Sequence, residues 1–165
     1  MSLRPIIAER VERLCIKMGQ ALYQAQGVEE ILAKYYSIAF MLSQSPTLEE
    51  IDEEFERNFS HTAGRLVGLL RTARGAEDPV VTRLSAFIDE RAWLVHKLRR
   101  TDYLSLKDES GFLSVMERLS RFESDCEQLI ELFYNLLTEY FVGIGSSREL
   151  IEQEQSKALR QIYGE

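Results

Sequence analysis

The chain has 165 residues, 45% of them hydrophobic and 28% charged, with only three prolines. That is long enough to bury one ordinary core and too apolar for a disordered chain, and sparse proline suits long helices. The net charge of −7 argues against whole-surface attraction to nucleic acid. The charge is uneven, though. Arg57 to Arg100 holds nine Lys/Arg against four Asp/Glu, a local net of +5, which leaves −12 on the remainder.

The first segment carries the clearest period. Ile7, Val11, Leu14, Met18, Ala21, Ala25, Val28, Leu32, Tyr35, Ala39 and Leu42 follow alternating steps of four and three, which places one narrow apolar stripe on a helix. Gly19 and Gly27 interrupt it as candidate points for a bend or a close helix crossing, with two collinear helices as the alternative. The pattern breaks from Ser43 to Thr47 around Pro46, after which Thr47 and Glu50 form a capping box. Leu48, Ile51 and Phe55 then predict a helix. A second run through Ala63, Leu66, Val67 and Leu70 ends at Gly75, with a kink expected between Asn58 and His61. Glu49 to Glu56 reads as a solvated face.

Asp78 and Pro79 supply a side-chain acceptor and a proline at the first helical position, so they predict a helix start. That helix runs through Val80, Leu84, Phe87, Ile88, Arg91, Leu94, Val95 and Leu98. It ends near Arg99 and Arg100, whose charge suits a helix C-terminus. Thr101 to Gly111 reads as a polar loop. The next stripe, from Phe112 through Met116, Leu119, Phe122, Cys126, Leu129, Ile130, Phe133 and Leu137 to Tyr140, ends at Gly143 and Gly145. Ser146 and Glu149 predict a last helix with a thin stripe of Ile151, Ala158 and Ile162.

The fold class expected is therefore all-α: an up-and-down bundle of long amphipathic helices packed near-antiparallel. Residues 1–145 form the bundle, and 146–165 form a C-terminal helix packed on it or loosely held. Cys15 and Cys126 each fall on an apolar stripe and are expected as reduced core thiols. Glu9, Arg10, Glu12, Arg13 and Lys17 stud the N-terminus, so no signal peptide is legible, and no apolar run is long enough to span a bilayer. The sequence thus predicts a cytoplasmic protein.

Two cysteines and two distant histidines lack ligand spacing for zinc, and no Glu-x-x-His pair offers a bundle di-iron site. No metal or cofactor is expected. One hexapeptide does carry chemistry: Arg91-Ala92-Trp93-Leu94-Val95-His96. A histidine can take a proton from a ribose 2′-OH or give one to a leaving oxygen. An arginine can grip a phosphate and stabilise its developing charge. RNA brings its own nucleophile, so these two groups suit metal-free RNA cleavage. On a regular helix, however, residues five apart are about 140° apart around the axis. The two share a face only if the helix distorts, or if a two-fold dimer joins two copies into one cleft.

The stretch Asp89-Glu90-Arg91-Ala92-Trp93-Leu94-Val95-His96 resembles the Arg-x4-6-His motif of the HEPN superfamily, small helical bundles that carry it late in a long helix. The resemblance implies a homodimeric, metal-independent endoribonuclease, often partnered by a protein antitoxin or working in phage defence. Arg91 would contact the phosphate and His96 would be the catalytic histidine. Trp93, Lys97, Arg99 and Arg100 would contribute RNA contacts by stacking and charge. The chain departs from the family pattern at Ala92, commonly polar in active members. It departs again at Leu98, where some members carry a tyrosine that is modified; Tyr103 is nearby but out of register. The competing reading is a noncatalytic helical dimerisation or partner-binding protein, with Arg91 paired to a carboxylate, His96 as a helix-end group and Trp93 as an anchor. His61 is a second candidate acid–base group, with a structural role as its alternative.

Overall fold

Leu3–Tyr36 forms one uninterrupted α-helix, α1, in the computed structural model, which describes residues 3–41, 48–59, 62–101, 107–153 and 156. At about 1.5 Å per residue its 34 residues give a rod some 50 Å long. Leu14, Ala21, Ala25, Val28, Leu32 and Tyr35 of the expected stripe are buried. Burial widens toward the C-terminal end, where Ile31, Leu32 and Ala33 are all covered; three consecutive buried positions mean that neighbours enclose the helix on most sides. α1 continues into a π-helical turn at Ser37–Met41. The remaining elements are α2 (Leu48–Phe59), α3 (Ala63–Arg74), α4 (Pro79–Ala92), a second π-helical turn at Trp93–Lys97, α5 (Leu98–Thr101) and α6 (Glu109–Gly143). Among the described residues there is no strand, and no helix is long and apolar enough to cross a membrane.

Helix ends follow local chemistry. Thr62 caps α3, which stops before Gly75. Asp78 accepts from the Val80 and Val81 amides at 2.8 and 3.4 Å, and Pro79 opens α4, as expected from the sequence. The Asp78 carboxylate also holds Arg74 Nε at 2.9 Å, tying α3 to α4 across their turn. Desolvation pushes the Asp78 carboxyl up. The hydrogen bonds from Arg74 and the two amides, together with the arginine's charge, outweigh it and hold the carboxyl below its ordinary value. A carboxylate with a lowered folded-state pKa stabilises the fold above the unfolded value of about 3.9, and that contribution is lost as pH falls through the folded value. Wild type is therefore expected to exceed Asp78→Asn in stability at neutral pH, with the gap closing below about pH 4. Urea titrations at several pH values check this; a gap that persists unchanged at low pH contradicts it.

Asp108 caps α6 by accepting from Gly111 N at 2.7 Å. The helix thus begins at Glu109, inside the stretch expected as loop. At the other end Ser146 N donates to Phe141 O (2.9 Å) and Gly145 N to Val142 O (3.0 Å). These are the paired bonds of a Schellman motif, with Gly145 at φ +101° taking the left-handed position. Because Ser146 is spent closing α6, the next cap falls one residue later than predicted: Ser147, not Ser146, accepts from Leu150 N, and residues 148–153 are helical. Arg148 pairs with Glu139 at 2.7 Å, holding this segment against α6. Ala158 and Ile162 of the predicted stripe, and Thr47 of the predicted capping box, lie outside the described residues.

The pairing of the long helices differs from the antiparallel expectation. Arg13 sits 5.1 Å from the Phe112 ring, Lys17 pairs with Glu123, a Cβ on Gly27 would lie 3.1 Å from Ile130 Cδ1, and Tyr35 meets Phe133 at 5.1 Å. Residue numbers rise together on both helices, so α1 and α6 run parallel. α4 runs antiparallel to α6, with Arg83 against Gln128, Phe87 against Phe122 and Glu90 against Arg118. Gly27 marks the close crossing of α1 and α6, and the helix is uninterrupted there and at Gly19. One apolar cluster joins all the major helices, each buried aliphatic or aromatic side chain contributing about 1.5–3 kcal/mol.

Two corrections concern polar and sulfur groups. Cys126 is buried, and desolvation, reinforced by Asp125, Glu123 and Glu127, pushes its thiol up to about 12. Cys15 is exposed instead, because it lies one residue, about 100°, beyond the buried Leu14; both thiols are free. Glu54 is buried, not part of a solvated face, whereas Glu49, Glu50, Glu53 and Glu56 are exposed. Its carboxylate holds Asn58 Nδ2 at 2.9 Å and Arg57 Nη1 at 2.6 Å. Asn58 Nδ2 also reaches Ser37 Oγ at 3.1 Å, and the Ser37 hydroxyl donates to Ala33 O at 2.8 Å. This knot fastens α2 to the π turn that ends α1. Asn58→Ala is expected to destabilise by about 1–3 kcal/mol, since buried acceptors lose their donor. Chemical denaturation measures it, and a change below about 0.5 kcal/mol, the usual range of surface substitutions, contradicts the assignment.

Candidate functional site

The Arg91–His96 segment straddles the end of α4 and the second π turn. Val80, Val81, Leu84 and Phe87 bury one face of α4, and Trp93, Leu94 and Leu98 continue that burial through the turn. The Leu98 amide donates to the Trp93 carbonyl, an i→i+5 bond. A turn closed this way advances by less than the ~100° per residue of an α-helix. His96 is therefore carried back toward the Arg91 side, and the ~140° separation of a regular helix is narrowed. Among the described residues no hydrogen bond or ion pair joins Arg91 directly to His96.

His96 is exposed and makes no hydrogen bond or ion pair among the described residues. Arg99 and Arg100 are likewise exposed and without such partners there. Lys97 is exposed and engaged in an interaction of its own. Arg91 differs: its Nε lies against Glu29 Oε1 of α1 as an ion pair, with its side chain 40% exposed. By distance this is an ion pair, yet Glu29 Oε1 lacks the alignment of a hydrogen bond. The contact engages the Nε edge of the guanidinium. The opposite edge, with its two terminal nitrogens, has the geometry of a phosphate fork.

Trp93 is 5% exposed, and the Arg118 guanidinium lies over its ring, 3.7 Å from the centroid. Arg118 also forks onto Glu90, with Nε to Oε2 and Nη2 to Oε1 both at 2.8 Å. The indole is thus a packing group capped by a cation, and no open ring face is left for a nucleobase to stack on. A shallow groove of about 170 Å³ between α4 and α6 is lined by Arg83, Phe87, Glu90, Phe122 and Asp125 among others, and includes neither Arg91 nor His96. His61 and Tyr103 lie outside the described residues.

Sequence reasoning located Arg91 and His96 but missed Glu29, Arg118 and the π turn. The noncatalytic reading pairs Arg91 with a neighbouring carboxylate; the partner is Glu29, on another helix. No periodic signal marks residues that pair 28 and 62 positions apart. Comparison with known protein families, with curated proteins and with solved structures finds no match for this chain.

Proposed function

We propose that this protein is a metal-independent endoribonuclease of HEPN type, acting as a homodimer. The observation that carries the reading is the exposure of His96 on a π turn, downstream of a half-exposed Arg91 whose guanidinium is held at one edge by Glu29. His96 takes the proton from a ribose 2′-OH, and the 2′-oxygen attacks the adjacent phosphorus. The bond from phosphorus to the 5′-oxygen breaks, leaving a 2′,3′-cyclic phosphate and a 5′-hydroxyl end. Arg91 stabilises the charge that builds on the phosphoryl oxygens. The leaving oxygen needs a proton, and one imidazole per chain serves one transfer at a time. A dimer supplies the second from the other copy's His96. Lys97, Arg99 and Arg100 guide the RNA backbone to this face. A protein antitoxin or defence-system partner would restrain such an activity by covering it.

The second reading is a noncatalytic dimerisation or partner-binding module. Ala92 and the ion pair that already neutralises Arg91 favour it. Incubating the purified protein with RNA in EDTA, beside the Arg91→Ala/His96→Ala double variant, separates the two. Cleavage above the double variant, with cyclic-phosphate ends, supports the nuclease; equal backgrounds support the binding module.

A further inference from the structure

We infer that Arg118, on α6, is a positioning residue that holds the π turn in the register that turns His96 toward Arg91. This rests on the nuclease reading for its functional half. Arg118 grips the motif helix on both sides of Arg91: it forks onto Glu90, one residue before, and covers the ring of Trp93, two residues after. Trp93 is also the residue whose carbonyl accepts the i→i+5 bond from Leu98. A π turn is rare and persists where surrounding contacts hold it. Here the two contacts of Arg118 fix the side chains at the point where the extra residue is accommodated. A lysine in its place keeps the charge but can neither fork onto both carboxylate oxygens nor lie flat on the indole.

Relaxation of the turn to regular α-helix would pass the Leu98 amide from the Trp93 carbonyl to that of Leu94. His96 would swing back toward the wide angle expected from sequence. Arg118 touches neither the 2′-hydroxyl nor the phosphate in this scheme, so its loss should act on kcat and leave KM nearly unchanged.

The test uses the full chain as wild type, Arg118→Lys and Arg118→Ala. Trans-hydrogen-bond NMR couplings report which carbonyl the Leu98 amide bonds, and steady-state cleavage of RNA in EDTA reports kcat and KM. Wild type should couple Leu98 to Trp93, and both variants should lose that coupling in favour of Leu94. Their kcat should fall about 10- to 100-fold, the scale of small misplacements at a site, with KM nearly constant. Variants that keep the Trp93 coupling overturn the clamp. Variants that switch partner yet cleave at the wild-type rate overturn the positioning role. A wild type that does not cleave RNA sinks the nuclease reading, and with it the positioning role, while the couplings still decide the clamp on their own.

Discussion

His96→Ala should lower RNA cleavage in EDTA by about 10²- to 10⁴-fold, the contribution typical of a positioned acid–base group. Its stability should change by no more than about 0.5 kcal/mol, because an exposed side chain without partners among the described residues has little packing to lose. Arg91→Ala should cost about 10²- to 10³-fold, as for other groups that stabilise transition-state charge. It also breaks the Glu29 ion pair, an interaction worth up to about 1 kcal/mol at such exposure. Arg91→Lys keeps the charge but not the planar fork, so it should recover only a small part of the rate. Rates read from end-labelled RNA, beside denaturation curves for each variant, keep loss of chemistry apart from loss of fold. A His96→Ala protein that cleaves as fast as wild type removes His96 from the mechanism.

The largest effect on the fold is expected at Phe133. Its ring is fully buried in α6 and packs against Tyr35 of α1 at 5.1 Å, near the end of the parallel seam where α1 is most enclosed. Truncation to alanine removes the apolar surface and leaves a cavity that two packed helices fill only in part. The cost should be about 3–5 kcal/mol, a large share of the roughly 5–15 kcal/mol that holds a typical domain together. Urea unfolding should show a lowered midpoint with an unchanged slope. A loss below about 1 kcal/mol would mean that the ring lies outside the core, since even conservative core truncations usually cost about that much.

What was legible in the sequence is what local chemistry decides. The four–three stripe from Ile7 to Tyr35 produced one continuous helix, and Asp78-Pro79 opened α4 as read. The stripe from Phe112 to Tyr140 lies within a single helix. Periodicity reports which face of a helix is covered, not what covers it. Nothing in either stripe says that α1 and α6 run parallel. Glu54 sits among exposed acids in sequence; its carboxylate is satisfied by Arg57 and Asn58 of its own helix, and its burial comes from the packing of that turn against Ser37, which periodicity does not report. Ser146 and Ser147 are chemically alike, and the choice between them was made by the turn that closes α6. At the candidate site the two chemical groups were visible as residue types. The Glu29 contact and the Arg118 contacts arise only when three helices meet, and nothing in the residue types marks the π turn that carries His96.

A double-mutant cycle on Arg91 and His96 is the sharpest probe of whether the two act on one phosphodiester. Single-turnover cleavage in EDTA would be measured for wild type, each single variant and the double. Groups that work as a unit give a double variant hardly slower than the worse single one, because the first loss already disables the second. Losses that simply multiply, or four proteins with the same background rate, would contradict a shared site.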